Sequence, residues 1–312
     1  MKRLALIAAM ALSCHAPSAP RPEARLAPSV APALTPAPEI APELAPDAST
    51  MQAPVEAAEP ALVGERLQTW AVGDFEVAAS LPVGARERRP VVVGIHGSHD
   101  RHDISCRRWR QTFAAWAFVV CPAGVPYRGG LAWGSPVVMA ERIDRALAAL
   151  RERYGAFVAE GPVVYAGWSL GATRGPGVVA ARPGIFEPVI LAEVGHTRLD
   201  VATSLASLRK GRASNAIIAC ATQRCAKFER RLETAKSKDP KGAKLGPGLG
   251  FADAGIGRGH VFDDRMARAI GAAMARAVAS DPRWNGFAAA LEAPPEHLEP
   301  VDEPADDEDT EP

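Results

Sequence analysis

The chain has no imbalance of charge: 36 Lys and Arg are matched by 36 Asp and Glu over 312 residues. Without a net positive field, or a basic stretch interleaved with aromatics, it has no electrostatic footprint for a phosphate backbone, so no nucleic-acid partner is expected. Cysteine is scarce, with five in all, and no spacing of Cys and His completes a recognisable zinc set. The N-terminal apolar run is too short to span a bilayer comfortably.

What that run does resemble is an export signal. "MKRLALIAAMALSCHAPSAP" has Lys2 and Arg3, a short apolar stretch, then small residues. The tetrapeptide "ALSC" is similar to the lipobox of bacterial lipoproteins, although Ala11 stands where a larger aliphatic residue is usual. That resemblance implies cleavage at residue 14, lipidation of Cys14 and a membrane anchor in the cell envelope, the periplasm or the outer membrane. Residues 15–62 are dominated by Ala, Pro and Glu, a composition that buries too little apolar surface to offset its ordering entropy, and are read as a tether. The acidic, Pro-rich residues 291–312 are read as a solvated tail. Between them, residues 63–290 suffice for one domain with a sizeable core.

Four cysteines remain in that domain, Cys106, Cys121, Cys220 and Cys225. An even number in an exported chain predicts two disulfides, with Cys106–Cys121 and Cys220–Cys225 the preferred pairing and buried free thiols the alternative.

Short apolar runs alternate with longer amphipathic stretches, the pattern of strand-helix-strand units and a mostly parallel sheet flanked by helices, an α/β fold. Strands are expected at 90–97, 117–122, 162–168, 187–194 and 214–221, with two weaker ones before residue 82. Their near-continuous Val and Ile predict a sheet covered on both faces. Helices are expected at 135–155, which opens on Ser-Pro and stops at Gly155, at 225–240 and at 261–282.

The chemistry-bearing pattern is "GWSLG", Gly167 to Gly171, lying between an apolar strand and a helix. A nucleophile on so sharp a turn needs a strained backbone, and glycine two residues before and two after lets strand and helix pass. The turn lifts the Ser169 hydroxyl to the carboxyl edge of the sheet and points helical N–H groups at it. Together with "HG" after an earlier strand and a late "GH" before the last helix, the chain over roughly residues 64–285 resembles the α/β-hydrolase family. The resemblance implies Ser169 as nucleophile in an elbow of Gly167, Trp168 and Gly171. It also implies an oxyanion hole from the backbone N–H groups of Ser98 and Leu170. A histidine is expected after the acid in chain order. Of those that follow Ser169, His260 sits in a glycine-rich loop ahead of the last helix, unlike His196 and His297. The family acid often follows the seventh strand, where this chain reads "CATQRC" without a carboxylate. Some relatives carry it after the sixth, and "VILAEVGH" offers Glu193 there, with Asp200 and Asp253 as rivals. Gln223 could orient an imidazole without stabilising its charge.

The segment "HGSHDRHD", residues 96–103, holds three histidines and two aspartates. His96 is read as a packed residue at a strand end. His99, Asp100, His102 and Asp103 are read as a solvated loop rimming the site, with metal binding the alternative. In the loop 125–136, Tyr127 and Trp133 either line a cleft or pack in the core, and Arg128 and Arg174 offer charge for an anionic substrate. The expected activity is hydrolysis of an ester, thioester or amide of a small molecule through Ser-His-acid chemistry, with no metal or organic cofactor implied. The alternative is a hydrolase-like binding or scaffold lipoprotein that has lost its acid.

Overall fold

The computed structural model describes residues 60–195, 200–238 and 248–293. The expected signal, Cys14, the tether up to residue 59, His196, His297 and the tail from residue 294 lie outside the described residues.

Strands β1 (Leu67–Val72) and β2 (Phe75–Ser80) form a hairpin, followed by β3 (Val91–Ile95), helix α1 (His102–Thr112) and β4 (Phe118–Pro122). A small hairpin, β5 (Val125–Tyr127) and β6 (Gly130–Ala132), precedes α2 (Pro136–Tyr154), β7 (Val163–Trp168) and α3 (Leu170–Ala181). Then come β8 (Phe186–Ala192), α4 (Val201–Lys210), β9 (Asn215–Cys220), α5 (Gln223–Ser237), β10 (Gly248–Asp253), α6 (Asp264–Ala277) and α7 (Phe287–Glu292).

The main sheet has the order β1-β2-β4-β3-β7-β8-β9-β10. Only β2 runs against its neighbours; every pairing from β4 to β10 is parallel. This is the α/β-hydrolase fold. Alternation along the strands explains its two-sided core. Val91, Val93 and Ile95 of β3 join a cluster with Met139 and Ile143 of α2, Val178 of α3, Leu205 of α4 and Phe228 of α5. Val92 faces the other way, with Trp109 of α1, Met266 and Ile270 of α6 and Phe287 of α7. Both faces are dry, so the strands carry the continuous Val and Ile that marked them in the sequence.

Two sequence expectations need correction. His102 and Asp103 are not in a solvated loop: they open α1, and His102 is only 8% exposed. A helix that opens on His102 and Asp103 behind an Arg101 N-cap hides its start from hydropathy, and its apolar face begins only at Ile104. Cys106 and Cys121 are not bonded to each other but are buried free thiols. The Cys106 thiol is directed to backbone, 3.4 Å from Ala78 O and 3.5 Å from Val119 O, and burial pushes the Cys121 thiol up. The expected Cys220–Cys225 disulfide is present.

Candidate active site

The parallel order turns at β3, whose neighbours β4 and β7 lie on opposite sides, and connections leaving in opposite directions open a crevice at the carboxyl edge there. Two segments border it, the loop after β3 and the turn after β7.

That turn is tight. Ser169 has φ 50° and ψ −108°, a conformation that costs a non-glycine residue about 1–3 kcal/mol and persists only when the surroundings enforce it. They do: Ser169 N donates to Ala192 O at 2.9 Å, and Ser169 O accepts from Thr173 N at 2.9 Å. The flanking glycines are needed for space. A Cβ on Gly167 would stand 2.7 Å from Gly171 C, and one on Gly171 would stand 2.6 Å from Ile95 Cγ2. Helix α3 begins at Leu170, so the Leu170 N–H is among the first-turn amides without a helical acceptor.

Across the crevice, Gly97 abuts the nucleophile: a Cβ there would lie 3.3 Å from Ser169 Cβ and 3.0 Å from Trp168 Cδ1. His96 sets the direction of the next peptide. Its ring is fully buried, Nε2 accepts from Gly124 N at 3.0 Å, and Nδ1, left as the protonated nitrogen, donates to Gly97 O at 2.7 Å. Trp133 packs against the ring at a tilt, with centroids 4.7 Å apart, and donates from Nε1 to His96 O at 3.0 Å. With Gly97 C=O drawn toward His96, the trans peptide turns the Ser98 N–H the opposite way. Burial holds the His96 pKa down at about 4, so the ring stays neutral.

His260 comes from the loop between β10 and α6. Gly255, Gly257 and Gly259 all have φ between 89° and 100° there, and Gly257 N donates to Ala221 O at 2.8 Å, which ties this loop to the one after β9. His260 Nε2 is 2.8 Å from Ser169 Oγ, and Nδ1 is 3.4 Å from Glu193 Oε2. Trp168 stacks beneath the imidazole with centroids 4.8 Å apart, and Phe262 meets Trp168 edge-on at 5.2 Å.

Glu193 is completely buried at the end of β8 with φ 53°. Its carboxylate reaches under the loop after β9. Oε1 accepts from the Ala221 and Thr222 N–H groups, and Oε2 accepts from Thr222 Oγ1 at 2.6 Å. The "CATQRC" loop thus lacks a carboxylate of its own but supplies the donors that solvate one from the neighbouring strand. Thr222 was not singled out in the sequence. Its visible signal there was that of a helix N-cap, and it does cap α5 by accepting from Cys225 N at 3.2 Å.

The rival acids are engaged elsewhere. Asp200 caps α4, accepting from Thr203 N at 2.7 Å, and that hydroxyl and amide hold its pKa down. Asp253 accepts from Gly255 N at 2.7 Å. Gln223 opens α5. Tyr127 is exposed on the small hairpin with Arg128 over its ring, whereas Trp133 belongs to the core. Among the described residues, no group of three His, Cys, Asp or Glu converges to hold a metal ion. Asp103 is instead paired with Arg101, Asp100 with Arg108, and His99 packs edge-on against Tyr127.

No protein-family model and no curated protein matches the chain. Solved structures do. It superposes on an S-formylglutathione hydrolase from Agrobacterium tumefaciens with TM-score 0.49 and 13% identity, over 70% of this chain and 98% of that one. A carboxylesterase from Mesorhizobium loti gives 0.47 and 16%, over 68% and 99%. The S-formylglutathione hydrolase FrmB from Staphylococcus aureus gives 0.49 and 11%, over 66% and 95%. Likeness at these identities carries no residue's role across.

Proposed function

We propose that the chain is a serine hydrolase that cleaves a carboxylic ester, with thioester or amide as chemically related substrates, through an acyl-enzyme. The observation that carries this reading is the unbroken line Ser169 Oγ, His260 ring, Glu193 carboxylate, at 2.8 Å and 3.4 Å.

Ser169 Oγ attacks the carbonyl carbon while its proton passes to His260 Nε2, and the carbonyl oxygen becomes an oxyanion. The Ser98 and Leu170 amides stabilise that charge without reorganising, because His96 and the α3 start orient them beforehand. The tetrahedral intermediate collapses, the bond to the leaving oxygen breaks, and His260 returns the proton to that oxygen. Water then attacks the acyl-serine by the same steps in reverse roles. Glu193 keeps the proton of the resting imidazole on Nδ1 and faces the positive charge that forms on the ring. Its three donors satisfy the oxygens of the buried carboxylate, and the 3.4 Å separation shortens as the imidazolium forms. No step requires a metal or organic cofactor. The approach of Glu193 to His260 supports this reading over that of a binding module that has lost its acid.

We further propose that the enzyme is exported and held at the cell envelope by lipid on Cys14. The basic, apolar and small-residue order of residues 2–14 supports this, and the Cys220–Cys225 bond suits an oxidising compartment. Hydrolysis of p-nitrophenyl esters of graded chain length tests the chemistry. Turnover by the wild type that is lost in Ser169→Ala is expected; equal rates from the two proteins overturn the assignment.

A further inference from the structure

A second polar cleft opens on the same carboxyl edge, on the far side of the 98–101 segment from Ser169. Its volume is about 400 Å³, and Thr69, Glu76, Arg101, His102, Asp103 and the backbone around Gly130 line it. The separation follows from the sheet: β2, which carries Glu76, lies three strand steps from β7, roughly 14 Å at about 4.8 Å per step. The wall between the sites is firm, because residues 99–100 pair with β6 through His99 N to Leu131 O at 2.8 Å and Leu131 N to Asp100 O at 3.2 Å.

Two independent observations make this cleft more than a surface depression. The His102 side chain is nine-tenths buried, yet its Nε2 makes no hydrogen bond among the described residues, with Glu76 Oε2 at 4.0 Å, beyond hydrogen-bond reach. Leaving a buried ring nitrogen unpaired is destabilising, and a ligand atom lodged between the two side chains would recover that loss. In addition, α1 starts here without a side-chain cap, and its first hydrogen bond is Ser105 N to Arg101 O at 3.0 Å, so the amides of residues 102–104 have no helical acceptor.

The electrostatics narrow the ligand. Glu76 and Asp103 repel an anion from the helix start, and Arg101 already pairs with Asp103, at 2.6 Å. The positive end of the α1 dipole, with Arg101 beside it, repels a cation from Glu76. Burial lowers the His102 pKa, so a neutral ring offers one donor or one acceptor. A hydroxyl satisfies both demands, donating to the Glu76 carboxylate while pairing with His102 Nε2, since it can sit at hydrogen-bond distance from both atoms of a 4.0 Å pair. Further hydroxyls on the same molecule would meet the α1 amides and Thr69.

We infer that this cleft binds a neutral polyhydroxylated ligand, such as a glycosyl unit, bridged between Glu76 and His102 at the start of α1. The inference stands independently of the proposed Ser169 chemistry. Calorimetric titration of the full chain and its Ser169→Ala variant with methyl β-glucoside, xylose, inorganic phosphate and methylammonium tests it. Saturable binding of at least one sugar to both proteins is expected, with Kd on the order of millimolar, weakened at least tenfold in His102→Phe and in Glu76→Ala. Glu76 is 65% exposed as a side chain, so its replacement keeps the test open should the His102 variant not fold. Absence of saturable sugar binding, equal binding by Glu76→Ala, or tighter binding of phosphate or methylammonium would overturn it. Glu76→Ala should hydrolyse p-nitrophenyl acetate at the wild-type rate; an equal loss there would mean that the cleft is part of the Ser169 site. Inactivity of the wild-type enzyme would count against the hydrolase reading alone.

Discussion

Glu193 shows how a side chain can hold a position that its own stretch of sequence does not advertise. It was legible as an acid closing an apolar strand, but its setting was not, because two backbone amides and the Thr222 hydroxyl converge on it only after β8 and β9 pair. Glu193→Gln keeps the volume and an oxygen for the amides but offers N–H toward His260 Nδ1, which favours the wrong tautomer. It should lower kcat about 10³–10⁴-fold with a smaller effect on KM, as measured with a p-nitrophenyl ester; wild-type turnover would exclude Glu193 as the acid. His96 makes a second residue-scale prediction. Its pKa is pushed from 6.5 to about 4 by burial, so its stabilising contribution is full above pH 6.5. As pH falls from 6.5 toward 4, the unfolded chain takes a proton that the folded ring refuses, and the protein loses up to about 3 kcal/mol. Urea midpoints at pH 7 and 4.5 should differ more for the wild type than for His96→Asn, and an identical difference would refute the argument. "HG" at a strand end hinted at the backbone role of this segment. The contact that fixes the ring, Nε2 accepting from Gly124 N, comes from twenty-eight residues away and could not be read locally.

Among the elements, the buried strands were the most legible, because residues covered on both faces must be apolar throughout. All five strong candidates and the two weaker ones are strands. The strands that did not stand out are short or exposed: β5 is an exposed Val-Pro-Tyr, and β6 and β10 carry glycine and are partly exposed, while α1 begins with two polar residues behind Arg101. The elbow between β7 and α3 was legible from its glycines, whose necessity is steric. Gly171→Ala places a methyl 2.6 Å from Ile95 Cγ2 and 2.8 Å from His96 O, and it should cost about 1–3 kcal/mol, visible as a lower denaturation midpoint, together with lost turnover as the β3 loop is pushed from Ser169. Unchanged stability would contradict the tight crossing. The disulfide is also an element-scale device. Cys220 ends β9 and Cys225 lies in the first turn of α5, so the bond brackets the amides that hold Glu193. Closing so short a loop is worth about 2 kcal/mol. Reduction should lower the melting temperature and kcat together, and a loss of stability with kcat intact would separate the bond from the site.

At the scale of the molecule, the strand order and the position of the crevice follow from what the sequence displayed in outline. Alternating apolar strands and amphipathic helices imply right-handed crossovers, and a sheet whose chain order turns at β3 collects its loops at one edge. What composition could not deliver was the pairing of distant loops, so His260, Glu193 and the Ser98 loop were assigned by chain order and meet only through the sheet. The cysteines show the same limit, since an even count implied two bonds whereas packing leaves Cys106 and Cys121 as thiols. Protein lacking residues 1–14 and denatured without reductant should therefore show two free thiols, and none would indicate a second bond. The central claim is that Ser169 is a nucleophile activated by His260. It is tested most directly by incubating the folded protein with a fluorophosphonate and locating the adduct by mass spectrometry. Stoichiometric modification of Ser169, absent in Ser169→Ala and much slower in His260→Ala, is predicted; a folded wild-type protein that stays unmodified, or a Ser169→Ala variant that labels equally fast, would contradict it.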